Sequence, residues 1–471
     1  MASTTLYVRP GSCVFAVVPV TAGASVRILP LRAGSGRVEG GNREVMLALR
    51  FRRRAVRRRD PLRRYALIAS LGFGVTAAVT TALVWASGRQ MADWEVYRGY
   101  GDAMESGLVP YRDFHVEYPP GALPVFALPS LVTSTPEEYY SAFAALMALV
   151  GALGVYVTAI SLRRLGRSKR TIRRVLLLLA LSPLLFGGVL LSRFDLLPSV
   201  LVACALALVI HGRARWAAAV LGVAIAVKAF PVVVLPLLAA WAWRRHGPRE
   251  AVTVVGITAG VVAAVFLPFL LLSPGGLADS LGGQLGRPLQ VETLAAGILL
   301  VAHGMAGATV ELEQSHSSDS LAGSLGTTAA TVTSAVQAVV LVALWFRYAR
   351  GPATTERTLR YAAALLVAVV ALGKVLSPQF LIWCLFALPL VAGTTGMVAG
   401  ACFAVAALAT AIWYPALYDT LVDEQSPALS LLVLVRGLAL VGVLVVLALP
   451  PLQLAPARPP GGRQSAWRDG R

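Results

Sequence analysis

Apolar stretches of about 20 residues recur along most of this chain, and a helix needs about that many to cross the hydrocarbon core of a bilayer. The chain is 57% hydrophobic and 14% charged, whereas a soluble chain carries about 25% charged residues. Because lipid offers no hydrogen-bond partners, a spanning backbone must form its hydrogen bonds within its own helix or within a closed barrel. The long uninterrupted apolar runs favour helices, so the sequence predicts an all-α polytopic membrane protein.

We expect about 12 transmembrane helices in a domain that covers residues 66–450, between a basic cytoplasmic segment, 1–65, and a cytoplasmic tail, 451–471. The predicted segments are 66–86, 139–162, 173–191, 196–212, 216–228, 230–243, 250–272, 326–346, 358–373, 377–392, 395–413 and 429–449.

Some apolar segments are too short to be regular spans. Segments 216–228 and 230–243 are separated only by a stretch around Pro231, which cannot donate a backbone hydrogen bond. We therefore expect a helix break at membrane depth, which survives only where protein buries it or a cavity hydrates it. Residues 122–133 and 294–306 are predicted to be short interfacial or re-entrant helices.

The net charge of +19 comes largely from arginine clusters between apolar segments, at 52–54, 57–59, 163–164, 173–174 and 244–245. Basic residues concentrate in cytoplasmic loops, so this pattern predicts that both chain ends are cytoplasmic. A protein that binds nucleic acid collects its basic residues on one face or along one stripe. The distribution therefore gives no indication of a nucleic-acid partner, and it indicates membrane lipid instead.

Residues 1–45 are rich in glycine, alanine, serine and valine and show no periodic apolar face. They match no signal peptide, because no basic region precedes a clear apolar core. Two interpretations stay open: these residues begin the cytoplasmic segment 1–65, or translation begins at Met46 and they are not translated.

The stretch that follows the first apolar segment is acidic. It contains Asp93, Glu95, Asp102, Glu105, Asp113 and Glu117, with several tyrosines and the sequence Pro-Pro-Gly at 119–121. Prolines and glycine favour turns, so we expect a shaped exterior loop whose tyrosines offer stacking faces for sugar rings. An isolated acid here is ordinarily a solvated charge, but a carboxylate within reach of a hydroxyl can act as a general base. Asp93 is the first candidate, and Asp102 and Asp113 are alternatives.

Charged residues also lie at the outer ends of later apolar segments. Arg193 and Asp195 flank one phenylalanine in a predicted exterior hairpin, and they either serve the site or simply pair with each other. Lys228 lies within an apolar half-helix, where an ionisable group is costly and therefore indicates function.

Three further cations share this location. Lys374 and Arg287 lie at later exterior borders, and Arg436 lies inside the last apolar segment, where it either extends to the surface or pairs with another helix. Cations at this depth could stabilise the negative charge of a departing lipid phosphate.

No cysteine pair and no group of histidines has the spacing of a metal site. No glycine-rich phosphate-binding loop precedes a helix either. We therefore predict neither a metal nor another cofactor.

Four blocks, 93–121, 192–236, 287–294 and 374–383, make the chain resemble the polytopic glycosyltransferases of the C-type fold. The most recognisable phrases are Arg-Phe-Asp-Leu-Leu-Pro, Val-Lys-Ala-Phe-Pro and Leu-Ser-Pro-Gln-Phe-Leu-Ile-Trp. Within that group the chain is similar to family 87, the polyprenyl-phosphate-mannose-dependent mannosyltransferases of actinobacteria. The resemblance extends over about 66–450.

The resemblance implies that Asp93 is the general base and that Lys228, Arg287 and Lys374 hold the lipid phosphate. It also implies a histidine in a late exterior loop, for which His303 and His316 both fit. The remaining residues that we expect to bind substrate are Tyr97, Asp113, Tyr118, Arg193, Asp195, Gln290, Glu292 and Gln379.

The predicted function is transfer of a sugar, mannose by resemblance, from a polyprenyl-phosphate carrier to a glycolipid or envelope glycan on the extracytoplasmic side of the cell membrane. Two other classes remain open at this point. Broken helices at membrane depth are typical of transporters, so one alternative is a flippase of lipid-linked sugars. The other is a non-catalytic scaffold in an envelope assembly. Both alternatives predict that Asp93→Asn changes little.

Overall fold

The computed structural model describes residues 15–17, 28–30, 61–88, 92–307, 309–315 and 318–450. The chain forms two compact units, 1–61 and 62–471. In the first unit, strands β1 (Phe15–Val17) and β2 (Ile28–Pro30) pair antiparallel. The rest of the predicted segment 1–65 up to residue 60, and the predicted tail 451–471, lie outside the described residues.

The second unit is mainly helical. Its helices are α1 (Pro61–Ala86), α2 (Ala92–Glu105), α3 (Leu123–Ser130), α4 (Pro136–Arg164), α5 (Lys169–Phe186), α6 (Val189–Ser192), α7 (Leu196–Ile210), α8 (Ala214–Val227), α9 (Leu235–His246), α10 (Pro248–Leu272), α11 (Pro274–Gly286), α12 (Leu294–Ala306), α13 (Gly323–Ala349), α14 (Thr355–Ala371), α15 (Gly393–Trp413), α16 (Tyr418–Val422) and α17 (Pro427–Ala448). Single 3₁₀ segments are Pro120–Ala122, Phe230–Val234, Pro378–Cys384 and Leu388–Leu390.

Among the described residues, 6 helices are long and apolar enough to cross a membrane: Leu62–Ala86, Pro136–Arg164, Pro248–Leu272, Gly323–Ala349, Gly393–Trp413 and Pro427–Ala448. Each coincides with one of the predicted segments. Several other apolar helices are shorter, among them α7 and α8. The chain is therefore a polytopic, mostly helical membrane protein, and the count of about 12 spans stays a prediction.

Two predicted spans differ from regular helices. The segment predicted at 377–392 forms the 3₁₀ segments Pro378–Cys384 and Leu388–Leu390, each opening with a proline at its first or second position. The segment predicted at 173–191 is interrupted at Gly187, which adopts φ +58, a conformation that favours glycine. In both places proline or glycine overrides the apolar pattern.

The expected break near Pro231 is confirmed. Helix α8 ends at Val227, Lys228 adopts extended backbone, and a 3₁₀ segment begins at Phe230. The turn that carries Gly121 packs closely here, because a Cβ at Gly121 would lie 2.5 Å from the carbonyl carbon of Ala226. A glycine is thus required where the turn meets the end of α8.

The acidic stretch after α1 is not the loop that we predicted. Residues 92–105 form helix α2, with Asp93 and Glu95 in its first turn. Acidic side chains stabilise a helix N-terminus because they complement the helix dipole. The acids at this end thus favour a helix where the composition had indicated an irregular loop.

A small sheet departs from the predicted all-α fold. Strands β3 (Leu289–Gln290), β4 (Leu312–Ser315) and β5 (Ser318–Leu321) pair antiparallel in the order β3-β5-β4. Leu289 and Leu321 lie opposite each other and share an apolar cluster with Leu300 of α12. The sheet therefore has one face that packs against the helices.

Charged residues divide between two ends of the helical bundle. Helix α4 begins with a capping box between Thr135 and Glu138 and ends with Arg163 and Arg164. At that second end, which we call the arginine end, Arg167 donates to the carbonyl oxygen of Leu390 at 3.1 Å. Arginines at the ends of α9 and α13 and the start of α14 lie at the same end.

Candidate functional site

The first pair of the site joins two distant parts of the chain. Asp93, at the start of α2, forms an ion pair with Arg193, which ends the short helix α6. Their side chains are 21% and 14% exposed, so solvent reaches the pair only in part. The interpretation that Arg193 pairs with Asp195 is wrong, because each of them has a different partner.

The second pair lies at the helix break. Lys228 Nζ donates to Asp195 Oδ1 at 2.7 Å, and the indole of Trp383 donates to the same oxygen at 2.6 Å. The Asp195 side chain is 1% exposed. A buried carboxylate and ammonium are stable only when they are paired and hydrogen-bonded, and this arrangement supplies both.

Aromatic rings surround the Lys228 ammonium. It lies 4.6 Å from the ring centroid of Phe194 and 5.4 Å from that of Phe380. Trp383 stacks on Phe380 and on Phe230, with centroid separations of 3.9 and 4.0 Å. Such faces attract a cation. They also exclude water, so the charge of Lys228 acts over a longer distance than it would at a surface.

Three cations converge at this end of the bundle. The Lys228 ammonium is repelled by both Arg193 and Arg287. Asp93 and Asp195 already compensate part of this repulsion, and an arriving anion could exchange with these carboxylates as the partner of the cations. The arrangement is therefore chemically suited to a phosphate group.

The small sheet brings two more predicted residues to the same place. Arg287 Nη2 donates to Ser318 Oγ of β5 at 3.2 Å. The backbone N–H of Gln290 in β3 donates to the carbonyl oxygen of Lys374 at 3.0 Å. Residues predicted separately from two late exterior segments are thus joined through this sheet.

Glu292 and Arg436 are both buried and are joined by a hydrogen bond. Both side chains are almost inaccessible, at 3% and 0% exposed, and Arg436 donates to the backbone carbonyl of Glu292. Burial raises the pKa of Glu292 to about 7, although the cations Arg436 and Arg193 act in the opposite direction. The charge of Arg193 thus acts on Glu292 as well as on Lys228.

Tyr97 and Tyr118 form the aromatic floor beside these pairs. Tyr97 is 1% exposed and stacks on Phe126 at 4.6 Å, so its ring face is not available to a sugar as the sequence had suggested. Tyr118 packs edge-on against Phe194 at 5.0 Å. Burial raises the pKa of Tyr118, so its hydroxyl stays neutral.

Other predicted residues are occupied locally. Asp113 pairs with Arg112 at 2.9 Å and accepts from the N–H of Val109, and the Arg112 guanidinium holds the pKa of Asp113 below its usual range. Gln379 accepts a hydrogen bond from Ser377, two residues earlier. In these contacts neither Asp113 nor Gln379 meets a residue of the two ion pairs.

Of the three remaining alternatives, Asp102, His303 and His316, the structure describes the first two. Asp102, the other candidate base, pairs with Arg98 at 3.2 Å and accepts from Ser130. His303 lies in the last turn of α12, and His316 lies outside the described residues.

Sequence reasoning missed or undervalued three residues of the site. Trp383 belongs to one of the recognisable phrases, but its hydrogen bond to Asp195 was not predicted. Arg436 was ambiguous because its partner lies 144 positions away. Ser320 is 1% exposed, and its hydroxyl has no hydrogen-bond partner among the described residues. It had no signal in the sequence, because the strand that carries it is short and polar. Within the described residues, no group of three His, Cys, Asp or Glu side chains could hold a metal ion.

Residues 114–378 match the model of Glycosyltransferase family 87, which is more than half of the chain. The matched region contains Arg193, Asp195, Lys228, Arg287 and Lys374, whereas Asp93 and Arg436 lie outside it. A search of curated proteins finds no match.

Proposed function

The chain belongs to glycosyltransferase family 87, and from this premise we propose that it transfers mannose from a polyprenyl-phosphate carrier to a glycolipid or envelope glycan. A membrane glycosyltransferase needs a sugar donor and an acceptor. The finer assignment of the donor is supported by the cations Arg193, Lys228 and Arg287, which suit a phosphate.

The observation that carries the proposal is the ion pair between Asp93 and Arg193. It holds the proposed base against a cation of the proposed phosphate site. A base must lie within hydrogen-bond reach of the acceptor hydroxyl while the phosphate departs from the same sugar carbon. In the ion pair between Asp93 and Arg193 the proposed base touches a cation of the proposed phosphate site, and this contact supports that arrangement.

The proposed reaction has one displacement. Asp93 takes the proton of the acceptor hydroxyl, and the oxygen forms a bond to the anomeric carbon as the bond from that carbon to the phosphate oxygen breaks. The polyprenyl phosphate leaves with the bonding electrons, and configuration inverts. Arg193, Lys228, Arg287 and Lys374 stabilise its charge. Binding of the donor phosphate to Arg193 competes with Asp93, so it frees the base when substrate is present.

An apolar cavity supports a lipid-linked donor. Its volume is about 640 Å³, and its lining includes Pro120, Gly121, Val227 and Phe269. Val227 immediately precedes Lys228, so the cavity adjoins the proposed phosphate site. We assign the cavity to the prenyl chain of the donor, since its lining is almost entirely apolar.

The charge distribution supports an extracytoplasmic site. The ion pairs described above lie at the end of the bundle opposite the arginine end, and clustered arginines are typical of cytoplasmic loops.

The test is sugar transfer by purified protein in nanodiscs, with polyprenyl-phosphate-mannose as donor and a crude glycolipid acceptor. We expect Asp93→Asn to lower the rate by a factor on the order of 10²–10⁴, the usual contribution of a general base. Asp102→Asn is the matched control, because Asp102 lies on the same helix but bonds to Arg98 and Ser130. Loss of transfer in the control alone would move the base to Asp102. Lipid scrambling without transfer by the wild type would contradict the proposal and favour a flippase.

A further inference from the structure

Three polar side chains on one face of the three-stranded sheet are buried. Gln290 of β3 lies opposite Ser320 of β5, so their side chains project to the same side. Ser318 shares that side, because alternate residues of a strand point in the same direction. Gln290, Ser318 and Ser320 are 5%, 9% and 1% exposed. We call these three residues the polar face.

Buried polar atoms beside this face have unused hydrogen-bonding capacity. Gln290 Oε1, Ser320 Oγ and Glu292 Oε2 have no hydrogen-bond partner in the part of the chain that the structure describes. The same is true of Arg436 Nε and Nη1. Ser320 lies opposite Gln290, and Arg436 bonds to the backbone of Glu292, two residues further on. Buried polar groups are nearly always bonded, so five such atoms on these connected residues indicate a polar ligand.

The chemistry of these atoms matches a sugar ring. A sugar hydroxyl both donates and accepts a hydrogen bond. Gln290 Oε1 and the Glu292 carboxylate accept, the Arg436 guanidinium donates, and the Ser320 hydroxyl does either. A phosphate alone would be poorly served by the two acceptor oxygens.

The position of the face connects it to the donor phosphate. Arg287 donates to Ser318 on the face, and the Gln290 N–H donates to the carbonyl oxygen of Lys374. If Arg287 and Lys374 bind the phosphate, the sugar attached to that phosphate begins only one oxygen atom away. Glu292 also lies within electrostatic reach of Arg193 and Arg287.

We propose that the polar face, with Glu292 and Arg436, is the subsite that binds the hydroxyl groups of the donor sugar. This inference rests on the proposed function, and it assigns to these residues a specificity for the sugar that the phosphate-binding cations lack. The subsite distinguishes a lipid phosphate that carries a hexose from one that does not.

The test compares binding of two probes, polyprenyl-phosphate-mannose and polyprenyl phosphate, to the wild type and to Glu292→Gln and Ser320→Ala in nanodiscs. Glu292→Gln keeps an acceptor oxygen but replaces a charge-assisted hydrogen bond with a weaker neutral one, so we expect it to lower affinity for the mannosylated lipid by about tenfold. Ser320→Ala should have a smaller effect of the same kind. Affinity for polyprenyl phosphate should not fall in either variant, which also shows that they are folded.

The matched control is Asp319→Asn. Asp319 lies between Ser318 and Ser320 on β5, points to the opposite side, and bonds to Tyr418 at 2.9 Å. Asp319 acts on Glu292 through its charge, so Asp319→Asn should change the preference for the mannosylated lipid much less than Glu292→Gln does.

The outcomes separate this inference from the proposed function. If the wild type binds neither lipid, the proposed function fails and the subsite fails with it. If the wild type binds both lipids, and Glu292→Gln and Ser320→Ala bind the mannosylated lipid as the wild type does, only the subsite is wrong. An equal loss of affinity for both lipids would also overturn it, because the face would then have a structural role alone.

Discussion

The two ends of the helical bundle use the same kinds of charged side chain in different surroundings. At the arginine end, Arg215 pairs with Glu250 at 2.9 Å, and their side chains are 66% and 18% exposed. At the site end, Lys228 pairs with Asp195 at 2.7 Å, and their side chains are 16% and 1% exposed. The separations are nearly equal, so the contrast lies in the access of solvent.

This contrast decides what each pair can do. Water and salt screen an exposed pair, which consequently contributes little to stability. A buried pair cannot lose one member without leaving an unpaired charge in a medium of low dielectric. The arginine end is therefore suited to orienting the protein in its membrane, whereas the site end is built so that each charge needs a partner or a ligand.

The strongest test of this contrast removes one member of the buried pair. Lys228→Met leaves the Asp195 carboxylate uncompensated, and we expect a destabilisation of about 3–5 kcal/mol. The measurement is thermal unfolding in detergent, followed by the loss of monodisperse protein. The double variant Lys228→Met, Asp195→Asn should recover much of the lost stability, because it no longer buries a lone charge. A single variant as stable as the wild type would show that solvent reaches the pair.

A second test uses pH at Glu292. Because burial raises the pKa of Glu292 from 4.5 to about 7, the folded protein binds this proton more tightly than the unfolded chain. The stability from protonation is complete below about pH 4.5 and is lost as pH rises through about 7, by up to about 3 kcal/mol. The groups that act on Glu292 are Arg436, Arg193, Asp319 and Arg287.

Glu292→Gln removes this titration. The thermal stability of the variant relative to the wild type should therefore be greater at pH 8 than at pH 5. The measurement is the difference between the two midpoints at each pH. A difference that does not change with pH would mean that Glu292 is ionised in the folded protein throughout this range.

The smallest effect is expected at the arginine end. Arg215→Ala breaks the exposed pair with Glu250, and because solvent already screens that pair, the unfolding midpoint should stay close to that of the wild type. The same measurement at low and high salt is the check. A large, salt-independent loss of stability would remove the contrast between the two ends.

Part of the site could be predicted from residue type alone. Lys228 in an apolar segment and Pro231 beside it indicated a break with a functional cation, and helix α8 ends at that point. Arg193 and Asp195 were recognised as functional, but their partners were not. Adjacent opposite charges in sequence suggested a mutual pair, whereas the turn between α6 and α7 directs them to different helices.

Secondary structure was harder to predict where the residue composition of a segment and its contacts in the fold favour different structures. The acids of 92–105 resembled a loop, but they stabilise the first turn of a helix. The strands of the small sheet are two to four residues long, so a period of two cannot be recognised in them. Short strands form because tertiary contacts support them.

By itself the sequence determined that this protein is a helical membrane protein, which end of its bundle collects arginines, and that it resembles a glycosyltransferase family. These properties follow from local composition, because a bilayer selects apolar helices and cytoplasmic loops select basic residues. Only the tertiary structure decided which charge faces which. Asp93 pairs with Arg193, Asp195 pairs with Lys228 at a separation of 33 residues, and Arg436 bonds to the backbone carbonyl of Glu292 at a separation of 144 residues. Such pairings depend on how helices pack, and no local pattern records them.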